Sequence, residues 1–128
     1  MSYYFCRTLD IPFEEAMARV AEELQKEGFG VLIEIDVKAT LKKKLAADFR
    51  NYRILGACNP PFAYRALQAE DKIGTMLPCN VIVQETPEGA VEVAAIDPVA
   101  SMQAVDNASL APVASRIQAK LKAVIENL

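Results

Sequence analysis

The chain has 128 residues, 52% of them hydrophobic and 24% charged, with a net charge of −3 and no histidine. That length and composition describe one globular domain, residues 1–128, with enough apolar material for its own core. The charge argues against a nucleic-acid or membrane-surface binder, and the missing imidazole removes the commonest metal ligand and the commonest general base, so no Ser-His-Asp or Cys-His arrangement can be built from this chain alone.

Three cysteines, an odd number, do not read as a secreted disulfide framework. The start "MSYYFCRTLDIPFEE" has neither a basic segment nor a long apolar run, so no signal peptide is expected. Nothing approaches the roughly 20 apolar residues of a membrane span. The expectation is a cytoplasmic protein with reduced thiols, and neither membrane nor nucleic acid as a partner.

"SYYFCRTL" is rich in aromatic and β-favouring residues and predicts the first strand. Asp10 is the expected cap of a helix that tolerates Pro12 in its first turn. Phe13, Met17, Val20 and Leu24 recur at helical spacing, and Gly28 ends the helix. "FGVLIEI" is the second strand. Asp36 caps "VKATLKKKLAAD", whose apolar stripe is Val37, Leu41 and Leu45 and whose Lys42, Lys43 and Lys44 form a solvated face. "YRILGAC" is the third strand; Asn59 caps a helix with Pro60 in the favoured first position, its buried side formed by Phe62, Ala63, Ala66 and Leu67.

"NVIVQET" and "AVEVAAI" are the fourth and fifth strands, joined by the hairpin "PEGA". Asp97-Pro98 repeats the cap-then-proline start for a short helix, "PVASMQAV". The last helix begins near Ser109, because Pro112 is tolerated only in a first turn, and it carries Leu110, Val113, Ile117, Leu121, Val124 and Leu128 on one stripe. The order is β-α-β-α-β-α-β-β-α-α. The hairpin must be antiparallel, so the class is α+β, with a mixed, mostly antiparallel sheet of about five strands and helices packed against it.

Four strands run into a cap, at Asp10, Asp36, Asn59 and Asp97. Helix starts attract anions, but three of these caps are themselves anionic. Simple capping, about 1 kcal/mol each, is the favoured role; an anion site fits only at the neutral Asn59.

The run from Leu55 to Pro98 resembles the DUF302 family of small bacterial and archaeal domains without an assigned activity. The pieces that carry the resemblance are Gly56-Ala57-Cys58-Asn59-Pro60, Leu77-Pro78-Cys79-Asn80-Val81, Gly89 and Asp97-Pro98, with "FGVLIEIDVKATLKKKL" similar to a strand-then-helix segment upstream. The resemblance covers nearly the whole chain. It implies a compact α+β domain and a homodimer, with Asn59, Pro60 and Pro78 common to the scaffold. It supplies no substrate, reaction or cofactor.

Cys-Asn is written twice, at Cys58-Asn59 and Cys79-Asn80, each beside a proline. Taken singly, both cysteines read first as small buried hydrophobes, with the asparagines bonding nearby backbone. A redox pair is the alternative: Cys58 precedes a helix start, which favours a thiolate, and the two thiols would approach if the third and fourth strands were antiparallel neighbours. No Cys-x-x-Cys is present. A metal site would need Cys58 and Cys79, with Cys6, a carboxylate or a second copy, unless a soft ion such as Cu(I) took two thiolates; none is predicted. A small-molecule pocket is the third idea, with Asn59 and Asn80 as donors and acceptors and Arg65 holding a carboxylate or phosphate; Tyr64 and Thr75 lie close by in sequence.

The carboxylate pairs Glu14-Glu15, Glu22-Glu23 and Glu70-Asp71 fit helix surfaces, so no catalytic residue is assigned. The expected function is a non-enzymatic, dimeric binding module for a small or anionic ligand, with Cys58, Asn59, Cys79, Asn80 and Arg65 at its site and no cofactor. The alternative is a thiol-dependent redox or sulfur-handling protein using Cys58 and Cys79.

Overall fold

Strict alternation through the fourth and fifth strands buries Val81, Val83, Val91, Val93 and Ala95 completely, the mark of a sheet with one face on the core. In the computed structural model, which describes residues 2–128, the strands are β1 (Tyr4–Leu9), β2 (Gly30–Asp36), β3 (Tyr52–Cys58), β4 (Cys79–Glu85) and β5 (Val91–Ile96). They form one sheet in the order β1-β5-β4-β3-β2. All four ladders are antiparallel. β1 and β2 run the same way but occupy opposite edges, so the parallel contact implied by a mixed sheet never forms.

The helices are α1 (Phe13–Lys26), α2 (Val37–Leu45), α3 (Pro60–Ala69), α4 (Pro98–Ser101) and α5 (Ala111–Glu126), with 3-10 turns at Asp71–Met76 and Ala108–Leu110. The class is α+β. α1 and α5 cover one face of the sheet: Met17, Val20 and Leu24 join Ile117, Leu121 and Val124 over Leu55, Val81, Val83 and Val93 in one buried cluster. Each fully buried Val or Leu in it contributes roughly 1.5–3 kcal/mol. The other face is barer. There Ile35, Ile54, Ile82, Ala94 and Cys6 stand in one cross-strand row, part-exposed to exposed along its length.

Local chemistry explains the helix ends. α1 stops in a paired turn: Gly28 N–H donates to Gln25 O and Phe29 N–H to Leu24 O. Gly28 sits at φ +86, open to glycine at no steric cost, and Phe29 returns to pack in the core with Leu24. Asp36 caps α2 through Ala39 N–H at 2.9 Å, and Asp97 caps α4 through Val99 and Ala100.

Three expectations are corrected. Asp10 caps nothing: α1 begins at Phe13 with Pro12 in the cap position, because Ile11 packs against the core and spaces the strand from the helix. α4 ends at Ser101 rather than near Val105; the chain turns there and packs Met102 and Val105 against a second cluster around Ala66, Ile73 and Leu110. The expected buried side of α3 is narrower: Ala66 is enclosed and Phe62 and Ala63 are half-buried, but Leu67 remains 44% exposed.

The antiparallel order also divides the four strand ends where caps were expected. β1 and β2 finish at one end of the sheet, where Arg53 bridges Glu14, Glu34 and Asp36 at 3.0, 3.2 and 3.7 Å. β3 and β5 finish at the other end, where α3 and α4 begin.

Candidate functional site

β3 ends at Cys58 and β4 begins at Cys79, and the two strands are antiparallel neighbours with Ala57 opposite Cys79. The twenty residues between them, carrying α3 and a 3-10 turn, therefore leave and return at the same end of the sheet. They fold over that end and close against α5 and α4. The space enclosed is a cavity of about 310 Å³, lined by Ala57, Cys58, Asn59 and Cys79 on the strand side. Phe62, Ala63 and Ala66 of α3, Met102 after α4, and Ala114 and Ile117 of α5 complete most of the wall. Among the described residues that line it there is no charged side chain; Asn59 and the two thiols supply nearly all the polarity.

Close packing shapes the floor. A Cβ on Gly56 would lie 2.7 Å from Pro78 Cγ and 3.4 Å from Ile33 Cβ, so only glycine lets the Pro78 ring settle on β3. Among the described residues Asn59 is the one buried polar residue, 7% exposed. It begins α3 with its backbone but makes no side-chain cap. Its Nδ2 instead donates to Glu27 O at 3.1 Å, tying the end of α1 to the start of α3.

The expected anion site at this helix start has no donors to offer. Pro60 and Pro61 lack N–H groups, and the next two, of Phe62 and Ala63, both donate to Asn59 O. The thiols differ from each other. Cys79 is buried and Cys58 half-buried. Burial pushes the Cys79 thiol up from an ordinary 9.0 to about 11, and the charge of nearby Cys58 adds to the rise. At neutral pH Cys79 is a protonated, weakly nucleophilic thiol. All three cysteines are free.

Of the residues singled out in the sequence, Cys58, Asn59 and Cys79 thus meet at one cavity. Asn80 does not: one step along β4 it points to the opposite face, into a shallow trough with Tyr4, Tyr52, Gln84 and Glu92. Arg65 and Tyr64 lie on the exposed side of α3, with the Arg65 guanidinium 5.3 Å from the Phe62 ring. Thr75 only bonds its own turn, donating to Lys72 O. Two residues had no signal in a linear reading. Arg116 and Lys120 look like ordinary polar positions on the last helix, yet α5 brings them to 5.6 and 6.0 Å from the same Phe62 ring. Among the described residues no group of three His, Cys, Asp or Glu side chains is placed to hold a metal, and no helix is long and apolar enough to cross a membrane.

Comparison with known proteins agrees with this architecture. A family model described as a domain of unknown function, DUF302, matches residues 5–128. Among solved structures, the chain is similar to an uncharacterized conserved protein DUF302 from Bacillus stearothermophilus, with a TM-score of 0.91, 28% sequence identity and 98% of each chain covered. No curated protein matches.

Proposed function

The chain belongs to the DUF302 family, which brings a fold and no activity, and on that premise we propose that it is a non-enzymatic binding module for a small, mainly apolar molecule. One observation carries the reading: a cavity of about 310 Å³ with apolar walls and, among the described residues that line it, Asn59 as the single amide side chain. Such a lining suits burial of apolar surface with one orienting hydrogen bond. Among the described residues that line it there is no carboxylate, lysine or histidine to act as a base, and burial keeps the Cys79 thiol protonated, which favours binding over chemistry.

The test is a titration with 1-octanol followed by amide chemical shifts. Saturable shifts are expected at Ala57, Ala63, Ala66 and Ala114, and their loss in Ala63→Trp, which fills a half-buried wall position. Absence of saturable shifts, or shifts unchanged in Ala63→Trp, refutes the reading.

A second reading, reversible thiol chemistry between Cys58 and Cys79, is favoured by one fact: both line the same cavity. The raised Cys79 pKa weighs against it. Treatment with diamide followed by mass spectrometry decides, since an intramolecular Cys58–Cys79 link is required.

The module is further proposed to be a cytoplasmic homodimer. Three unbridged cysteines suit a reducing compartment. Pairing through the barer sheet face would cover Tyr4, Ile33 and Ile35, all exposed in the single chain. Light scattering tests it: a dimer is expected, and Ile35→Lys should shift it to monomer.

A further inference from the structure

We infer that the ligand of this cavity carries an acidic head group, held just outside it by Arg65 and Arg116 with Lys120 beside them. The inference rests on the binding reading above and adds the chemical class of the ligand. Phe62 connects the two places. Its side chain lines the cavity, and three cations gather on its ring: Arg65 at 5.3 Å, Arg116 at 5.6 Å and Lys120 at 6.0 Å from the centroid. One comes from α3 and two from α5, so they meet along the seam between these helices.

Each cation gains a little from the ring face, but like charges collected on one ring repel one another. Little nearby relieves them. Lys120 has Glu27 at 3.9 Å. Among the described residues, neither arginine has a carboxylate oxygen within 4.0 Å. This is a local positive surplus in a chain whose acids outnumber its bases, 17 to 14. Two guanidinium groups offer planar, forked donors that match a carboxylate or phosphate. Both arginines are exposed, so the head would keep part of its hydration, avoiding the cost of carrying a charge into the apolar cavity. The body of the molecule would pass Phe62 and fill the cavity, where Asn59 is the amide available to it.

The test compares 1-octanol, octanoate and octyl phosphate, matched in their apolar part, on the native chain and on the Arg65→Gln/Arg116→Gln double variant. These exposed positions leave the core untouched. At low salt one or both anions should bind the native chain about tenfold or more tighter than the alcohol, and the preference should shrink to about twofold or less in the double variant and in molar salt. The arm that binds tighter identifies the head group. Equal binding of all three compounds to the native chain overturns the inference and leaves the apolar cavity reading standing. A preference that survives in the double variant also overturns it. Binding of none of them removes both.

Discussion

Alkali should weaken this fold through one thiol. The Cys79 pKa is raised to about 11 in the folded chain from an ordinary 9.0, and the ordinary value returns on unfolding. Between these two values the folded chain keeps a proton that the unfolded chain has released, so stability falls as pH rises. The contribution is fully present below about pH 9 and is lost as pH climbs through about 11. A difference of about two pKa units corresponds to about 2.7 kcal/mol, an appreciable part of the roughly 5–15 kcal/mol typical of a domain. The assay is urea unfolding at about pH 7.5 and about pH 11 for the native chain and for Cys79→Ala. Every other ionisable group is common to both proteins, so the comparison isolates the thiol. The native chain should lose about 2 kcal/mol more than the variant across this range. Equal losses would refute the reasoning, and would mean that the Cys79 sulfur reaches water. Cys58→Ser should reduce the effect only slightly, since burial outranks the neighbouring charge.

Gly56→Ala places a Cβ 2.7 Å from the Pro78 ring and should cost about 1–3 kcal/mol, read as a lower urea midpoint with an unchanged slope. Asn59→Leu removes the donor to Glu27 O; a loss of about 1–2 kcal/mol is expected, with faster amide exchange where α1 ends. Arg53→Gln leaves Glu14, Glu34 and Asp36 facing one another. Because these carboxylates are largely exposed, the loss should be about 1 kcal/mol or less and should shrink in high salt, measured by paired unfolding curves.

Much of this architecture is legible in the chain because its causes are local. Alternation in "NVIVQET" and "AVEVAAI", the three- and four-residue spacing of Ile117, Leu121 and Val124, and the caps Asp36 and Asp97 each depend on neighbours within a turn or a pleat. Asp10 misleads for a tertiary reason: packing of Ile11, invisible in propensity, sets where α1 begins. Asn59 has the cap's backbone role, but its amide answers to Glu27, 32 residues away. For the candidate site, Cys58, Asn59 and Cys79 were legible as residues, but their meeting depends on antiparallel pairing of β3 with β4, which a helix between two strands does not dictate, since the same unit also serves parallel crossovers. Asn80 was misplaced by a single step of the pleat, which sends adjacent side chains to opposite faces. Phe62, Arg116 and Lys120 meet only through the packing of α5 on α3, and no linear spacing encodes that.

The sheet order has a consequence for how the chain assembles. β2, β3, β4 and β5 are neighbours in both sequence and space, so they can form as a meander with short closures. β1 is different: Tyr4 pairs with Ile96, far along the chain. Closing that loop costs more entropy and comes slowly. Until β1 docks, β5 is an open edge with unpaired backbone groups, a template for the first strand of another copy. Conditions that fray the N-terminus should therefore favour strand exchange between molecules before they melt the rest.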